Sequence, residues 1–287
     1  MYSKSFQHVY KSQFMRRKVK VPRKASIRRR FRVKDETRKF YNGMFIDLGE
    51  LVIFTGNVIK HLFKPPFESR ELVKQSFLLG NKSLALVSVT GFIMGLVLTM
   101  QMNPILSDFG AQTLLPGVVA VAMIRELGPV ITGLICAGKI SSGIGAEIAA
   151  MTVTEQIDAM EVSGTRPLSF VVASRVLATT LVVPVLVIFA DAFSMFGAFL
   201  AINLFEDTSV TLFANRAFSM VGFVDLLPAT VKTVFFGFFI GLIGCYKGYN
   251  AGRGTESVGH AANTAVVASS LTIFVIDLIF VLLTNIL

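Results

Sequence analysis

Two oppositely charged side chains lie inside long apolar runs of this sequence. Glu126 follows Arg125 within residues 114–137, and Lys232 lies within residues 225–246. An ionised side chain in such a run costs free energy unless it faces a partner or a water-filled cavity. The two charges therefore predict either an ion pair that joins two helices or polar groups in a substrate cavity.

The two charges are predicted to lie at the same depth. Glu126 lies about nine residues from one end of the second run, and Lys232 about seven residues from the end of the fourth run that faces the same side of the membrane. At about 1.5 Å per residue, both lie about 10 to 14 Å below that membrane surface. They are therefore expected to meet. Asp191 and Asp277 lie inside two other apolar runs, where we expect them to form hydrogen bonds between helices.

The elements that carry these charges are predicted to be membrane-spanning helices. The chain is 53% apolar and only 16% charged, which is unusual for a soluble domain of 287 residues. A bilayer core about 30 Å thick needs about 20 apolar residues per helix. Five runs meet or nearly meet this requirement: residues 83–102, 114–137, 168–204, 225–246 and 261–287.

The segment before the first run is predicted to lie along the membrane surface. Residues 44–63 combine apolar residues at helical spacing with charged side chains, and Pro65 and Pro66 follow. Residues 70–82 are a second amphipathic lead into the first span. The predicted all-α membrane fold thus has three parts: a flexible basic extension at 1–43, interfacial helices in 44–82 and a five-span domain in 83–287.

The excess positive charge lies near the N-terminus. Residues 1–82 hold 20 Lys and Arg against 6 Asp and Glu, whereas the remaining residues hold 8 against 12. Because Lys and Arg favour the cytoplasmic side, we expect the N-terminus inside and the C-terminus outside. The tail is interpreted as an arm held by anionic lipid or as an organellar transit sequence. Crowding of the basic residues in one tail argues against nucleic-acid binding.

A short acidic helix is predicted near residues 152–164, inside the longest cytoplasmic loop at 138–167. Thr154 suits the N-cap of this helix, and Gly164 suits its C-terminal stop. The helix is either a solvated connector or a coupling helix that docks in a groove of an ATPase subunit. The coupling residues would be Thr154, Glu155, Gln156, Asp158, Met160 and Glu161.

Other apparent motifs are interpreted as packing features. Gly133, Gly138 and Lys139 have the spacing of a phosphate-binding loop, but Ile140 stands where Ser or Thr would hold magnesium. A membrane helix also precedes this segment instead of a strand. Neither a catalytic arrangement nor a metal site is predicted, and the histidines at 8, 61 and 260 are not placed for catalysis.

Small residues are expected to pack in the helix interfaces. The glycine pairs Gly91 with Gly95 and Gly237 with Gly241 lie one helical turn apart, which favours close helix packing within one subunit over a dimer contact. The two cysteines are also expected to be buried packing residues. They are Cys136 and Cys245.

The sequence contains several long motifs: Arg125-Glu-Leu-Gly-Pro-Val-Ile-Thr-Gly133, Ala146-Glu-Ile-Ala-Ala-Met-Thr-Val-Thr-Glu-Gln-Ile-Asp-Ala-Met-Glu161, and Gly244-Cys-Tyr-Lys-Gly248 with Thr264-Ala-Val-Val-Ala-Ser269. These motifs resemble the MlaE/YrbE family of ABC transporter permeases. The resemblance runs from about residue 45 to the end, and the long basic extension departs from it. It implies a homodimer with two ATP-binding cassette subunits and a ring of MCE-domain proteins on the outer face. The implied cargo is phospholipid or a similar lipid, moved between inner and outer membranes.

The resemblance also implies roles for individual residues. Residues 154–161 correspond to the family's coupling helix, and Glu126 and Lys232 to charged positions in an outward-open lipid cavity. Met94 and Leu98 are expected to form a compliant wall for acyl chains. The chain itself is expected to be no enzyme and to bind no cofactor, with ATP and magnesium held by the partner subunit.

The sequence leaves one alternative open for the location of the protein and one for its function. The expected location is the bacterial inner membrane, while a plastid homologue is the alternative if the basic tail is a transit sequence. The alternative function is a proton-coupled secondary transporter, in which Glu126, Asp191 and Asp277 relay protons. The absence of an internal inverted repeat in the sequence argues against this second function.

Overall fold

The chain folds into helices throughout the part that the structure describes. The computed structural model describes residues 43–62 and 69–286, and every regular element within them is a helix. The helices are α1 (Gly43–Leu62), α2 (Ser69–Asp108), α3 (Gln112–Val153), α4 (Gln156–Val162), α5 (Leu168–Ile202), α6 (Val210–Met220), α7 (Phe223–Tyr249) and α8 (Glu256–Ile286). In this described part, α2, α3, α5, α7 and α8 are long and apolar enough to cross a membrane. The predicted all-α fold with five spans and a preceding helix is confirmed.

The five long helices alternate in direction, so the connections gather at two ends. One end, called the α4 end, holds α4 between α3 and α5, and also the turn between α7 and α8. The opposite end, called the α6 end, holds the α2–α3 turn and helix α6. The five spans thus form an up-and-down bundle in the sense of helical membrane proteins.

Helix α1 falls across the boundary between two compact units of the chain. The first unit ends at Ile53, and its described residues are the helical ones from Gly43. In the second unit, the ring of Phe54 packs on Tyr246 and Tyr249 of α7, with ring centroids 5.5 and 6.1 Å apart. The predicted flexible extension lies outside the described residues except for Gly43, and the membrane-surface position of α1 stays a prediction.

Helix α3 is longer than the hydropathy of its sequence predicts. We expected the second span to end at residue 137 and a loop to follow, but the helix continues to Val153. Its last four turns bury Ile140, Ile144 and Ile148, which recur every four residues and so share one face. Residues 138–153 have a lower mean hydropathy than the span before them, because they include Lys139 and several small residues. Their apolar face nevertheless packs inside the bundle.

Helix α2 is likewise longer than the predicted first span. Residues 70–82 belong to the same continuous helix as that span, and the helix runs on to Asp108 through the predicted outer loop. The chain reverses at Gly110, whose φ of +66° is a conformation that glycine adopts without strain. Only residues 109–111 therefore separate α2 from α3.

Helix α6 was not predicted, because residues 205–224 were interpreted as a loop. Ser209 caps the helix by accepting a hydrogen bond from the Leu212 N–H at 3.3 Å. Phe213 and Ala217 are buried in a cluster with residues of α3 and α5. The helix is too short and too rich in polar residues for a span, so its burial depends on the neighbouring helices.

The paired glycines bring helices of the same chain into contact. A Cβ atom at Gly91 or Gly95 would overlap backbone atoms of α5, and one at Gly237 or Gly241 would overlap Thr179 of α5. The prediction of close packing within one subunit is confirmed for both pairs. Cys136 and Cys245, of α3 and α7, are fully buried, as predicted.

Candidate functional site

Lys232 joins three membrane-spanning helices. Its Nζ donates hydrogen bonds to Glu126 Oε2 of α3 at 2.7 Å and to Asp277 Oδ1 of α8 at 2.9 Å. The Lys232 side chain is 3% exposed, whereas those of Glu126 and Asp277 are 36% and 19% exposed. The expected meeting of Lys232 with Glu126 is confirmed, and the interhelical bond expected of Asp277 has Lys232 as its partner.

Two further charges extend this group toward the α6 end. Arg125 Nη1 lies 3.6 Å from Asp225 Oδ1, and Arg125 Nε lies 3.8 Å from Glu126 Oε1. Asp225 also accepts a hydrogen bond from the Gly222 N–H at 3.1 Å, which caps α7. We call the five side chains the ionic cluster: Arg125, Glu126, Asp225, Lys232 and Asp277.

A π-helical turn at Met123–Leu127 presents the α3 members of the cluster. Pro129 follows this turn and has no N–H, so the carbonyl of Arg125 lacks its usual donor four residues later. Widened turns of this kind occur often at functional sites, because they change the direction of the side chains that they carry. Arg125 and Glu126 both lie within the turn.

A cavity of about 260 Å³ lies next to the ionic cluster. Four charged residues form one part of its lining, and the remainder is formed mainly by apolar residues of α7 and α8. The lining consists of Arg125, Glu126, Asp225, Lys232, Pro228, Ala229, Phe280, Val281 and Thr284. The rings of Phe235 and Phe280, with centroids 5.5 Å apart, hold α7 against α8 beside it. The arrangement offers a charged group and an apolar group to one ligand.

Met94 and Leu98 lie at another place in the bundle. Both are half-buried on α2 and pack against the core cluster that contains Leu115, Val119 and Ala198. Neither is among the residues that line the cavity beside Lys232. Their role as a wall for acyl chains stays a prediction, to which this cavity gives no support.

Asp191 does not make the predicted helix-to-helix hydrogen bond through its Oδ1 atom. That atom is buried against Gly128 of α3 and has no hydrogen-bond partner among the described residues. A side chain at position 128 would overlap the carboxyl group. Asp191 therefore contacts α3 by close packing at this atom and lines no part of the cavity.

Most of the predicted coupling residues are exposed, either on α4 or directly before it. Ile157 is buried and Met160 half-buried, whereas the other predicted residues are exposed: Thr154, Glu155, Gln156, Asp158 and Glu161. Val162 is 90% exposed, which is unusual for an apolar side chain. Gly164, with φ of +82°, ends the helix as predicted.

The predicted N-cap of α4 is wrong. Thr154 Oγ1 donates a hydrogen bond back to the Ala150 carbonyl at 2.8 Å, because α3 extends to Val153 and Thr154 follows its C-terminus. Glu155 precedes α4 instead, with a left-handed φ of +61°. The helix also begins at Gln156 rather than near residue 152.

Helix α4 contacts the end of α7. The Tyr249 hydroxyl donates a hydrogen bond to Glu161 Oε1 at 3.3 Å. Lys232 lies 17 positions earlier on the same helix, which at about 1.5 Å per residue is about 25 Å away. One continuous helix therefore connects the α4 surface to the ionic cluster.

A second ion pair with a buried cation was not predicted from the sequence. Arg175 Nη2 donates to Glu147 Oε1 at 2.6 Å, and Arg175 Nη1 donates to the Val171 carbonyl at 2.9 Å. Glu147 lies in the segment that we interpreted as a loop, so no partner for Arg175 was evident. The available signal was that Arg175 is the only Lys or Arg within residues 168–204.

Known proteins show the family of the chain. The profile of the family described as Permease MlaE matches residues 72–283. A probable ABC transporter permease protein of Rickettsia typhi is 36% identical over 228 residues, which cover 79% of this chain and 88% of the relative. One of Synechocystis is 33% identical, covering 77% and 84%.

The chain is also similar to a plant protein. Protein TRIGALACTOSYLDIACYLGLYCEROL 1, chloroplastic, of Arabidopsis thaliana is 30% identical, over 79% of this chain and 65% of the relative. The family profile spans the five long helices almost completely and includes both the ionic cluster and the Arg175–Glu147 ion pair. The chain therefore belongs to the MlaE permease family, as a multi-pass transmembrane permease component of an ABC transporter.

Proposed function

We propose that this permease moves phospholipid or a similar lipid between the inner and outer membranes, together with an MCE-domain protein. The observation that supports this substrate class is the cavity beside Lys232, where charged residues and apolar residues line one space. A lipid needs both chemistries, because its headgroup is charged and its acyl chains are apolar. The Arabidopsis relative, which is named after a galactolipid, also favours a lipid substrate.

Glu126 and Lys232 are the proposed substrate-binding residues. Glu126 is about one-third exposed, so it can contact a headgroup, while the buried Lys232 orients Glu126 and Asp277. Buried charges that are paired in this way are held in place by their mutual attraction. The cluster can therefore present fixed polar groups at headgroup depth inside an apolar surrounding.

The proposed assembly is a homodimer with two ATP-binding cassette subunits that hold ATP and magnesium. The exposed acidic surface of α4 is the proposed docking site for these subunits, with residues 154–161 at its centre. ATP binding would close the ATPase pair and move α4, and the cavity between the two permease subunits would narrow and expel the lipid. The contact between Glu161 and Tyr249 gives this motion a direct connection to α7.

The charge distribution supports one orientation in the membrane. With the basic N-terminus inside, the α4 end faces the cytoplasm and the α6 end faces outward, where the MCE ring would dock. We propose the bacterial inner membrane as the location. The chloroplastic relative keeps a plastid membrane as the alternative.

The substitution Glu126→Gln tests the substrate site. Gln retains the shape and a hydrogen-bond acceptor for Lys232 but removes a charge from the cavity lining, so we expect several-fold less co-purifying lipid with unchanged assembly. Lipid is measured by mass spectrometry after purification in mild detergent. Thr230→Val is the matched control, because Thr230 is an exposed residue of α7 outside the cavity lining. Equal lipid content in Glu126→Gln and the control would reject the substrate site.

Co-purification also tests the proposed transport mechanism. An ATP-binding subunit should accompany the full chain when native membranes are dissolved in mild detergent. A lower yield of that subunit with Glu155→Lys than with the wild-type chain would place Glu155 on the docking surface. Absence of an ATPase subunit from the wild-type preparation would instead favour the proton-coupled secondary transporter.

A further inference from the structure

We propose that the ionic cluster selects a headgroup that carries both an anionic phosphate and a cationic amine over a headgroup that is only anionic. The inference rests on the proposed lipid-transport function and adds the charge class of the substrate. Its basis is the number and exposure of the charges in one cavity. Phosphatidylethanolamine represents the favoured class, and phosphatidylglycerol represents the disfavoured class.

The cluster contains more negative than positive charge. Its three carboxylates are those of Glu126, Asp225 and Asp277, and its two cations are those of Arg125 and Lys232. With all five groups ionised, the cluster has a formal charge of −1. A purely anionic headgroup would therefore bring a second net negative charge into a space bounded by apolar helices, where repulsion is poorly screened.

The two cations differ in their access to a ligand. Lys232 is 3% exposed and donates to two carboxylates at 2.7 and 2.9 Å, so little of its charge is available to another anion. Arg125 is 38% exposed, lies 3.6 and 3.8 Å from Asp225 and Glu126, and lines the cavity. The guanidinium of Arg125 is therefore the group best placed to meet a phosphate.

The exposed carboxylates provide the matching site for an amine. Glu126 and Asp225 both line the cavity, with side chains 36% and 21% exposed, and both lie next to Arg125. A phosphate that binds Arg125 competes with these carboxylates for its positive charge and so weakens their ion pairs. An ammonium group on the same headgroup would compensate for that loss, whereas a headgroup without a cation would leave the carboxylates uncompensated.

The size of the cavity matches a headgroup better than a whole lipid. Its volume of about 260 Å³ is below the range of about 300–1,000 Å³ that is usual for drug-sized ligands. The apolar lining at Phe280 and Val281 would meet the beginning of the acyl chains. On the same turns of α8, the exposed Leu278 and Leu282 offer apolar surface for the tails. The headgroup is thus the part of the lipid that the charges can distinguish.

A competition between two lipids tests the inference on the purified full chain. Mixed micelles contain equal amounts of phosphatidylethanolamine and phosphatidylglycerol with identical acyl chains, and native mass spectrometry measures the bound ratio. We expect about tenfold enrichment of phosphatidylethanolamine, the effect of one poorly screened unit charge. A ratio near one, or enrichment of phosphatidylglycerol, would overturn the inference.

The variant Asp225→Asn tests whether the surplus charge causes the selection. Asn can still accept the hydrogen bond that caps α7, but it makes the formal charge of the cluster zero. We expect phosphatidylethanolamine binding to fall and phosphatidylglycerol binding to rise, so that the bound ratio approaches one. Asp108→Asn, which removes an exposed carboxylate at the same end outside the cavity, should keep the wild-type ratio.

The outcomes separate this inference from the function on which it rests. Wild-type protein that binds neither lipid would contradict the proposed lipid-transport function itself. Protein that binds both lipids without discrimination would contradict only the headgroup inference. An Asp225→Asn variant that keeps the tenfold ratio would show that charges outside the cluster select the headgroup, which also overturns the inference.

Discussion

Two buried cations lie in opposite halves of the bundle, and their surroundings differ. Lys232 and Arg175 are both almost fully buried, and each is paired with a Glu of α3. Lys232 has two carboxylate partners and lines a cavity together with one of them, Glu126, whereas Arg175 has one carboxylate and a backbone carbonyl of its own helix. A buried cation therefore does not by itself mark a binding site. The cavity beside Lys232 is the feature that distinguishes it from Arg175.

The Arg175 pair has a position suited to holding the α4 end together. Glu147 lies on α3 shortly before α4, and Arg175 lies on α5 shortly after it. Their 2.6 Å ion pair thus joins the two helices that flank α4. The planar guanidinium can bind a carboxylate and a carbonyl at once, which a lysine ammonium does with less geometric definition. We interpret this pair as structural and the ionic cluster as a ligand site.

The largest expected loss of stability follows removal of the cation in the ionic cluster. Lys232→Met would leave the carboxylates of Glu126 and Asp277 facing each other without their shared partner, and we expect a loss of about 3 kcal/mol. Thermal unfolding of the purified chain in detergent measures it. The double variant Lys232→Met with Asp277→Asn should recover part of the loss. Unchanged stability in the single variant would show that Lys232 does not join the helices.

A smaller loss is expected at the other buried cation. Arg175→Met removes the bond between α3 and α5, but Glu147 is 54% exposed and can be solvated, so we expect about 2 kcal/mol. Lipid selectivity should remain at the wild-type ratio, because Arg175 lies outside the cavity. The same unfolding and lipid-competition measurements check both statements. A changed lipid ratio would show that the Arg175–Glu147 pair also affects lipid selection, contrary to its interpretation as a structural pair.

The smallest effect on stability is expected at Glu155, the exposed residue directly before α4. Glu155→Lys reverses an exposed charge, so the chain should unfold as the wild type does, while ATP-driven lipid transport in reconstituted vesicles should fall about tenfold relative to ATP hydrolysis. Glu256→Lys makes the same change on an exposed residue at the same end, outside α4, and should keep transport coupled. Equal coupling in the two variants would remove Glu155 from the docking surface.

Much of the fold could be predicted because the bilayer imposes simple rules on a sequence. Five apolar runs gave the five spans, and charges counted from the ends of two runs placed Glu126 beside Lys232. The predicted helix ends were less accurate, because average hydropathy does not detect the part of a helix that continues beyond the apolar run. The extension of α3 to Val153 is such a case, because one apolar face of residues 138–153 packs inside the bundle although the segment as a whole is less apolar.

The candidate site divides in the same way. The sequence by itself determined which residues are charged in apolar surroundings, and a buried charge must find a partner, so Glu126 and Lys232 were evident. Only the tertiary structure decided that Asp277 completes the bond, that Arg175 meets Glu147, and that Met94 and Leu98 pack elsewhere. The physical reason is that the depth of a residue follows from its position in a span. Its direction around the helix axis, and hence its neighbours, depends on how the other helices pack.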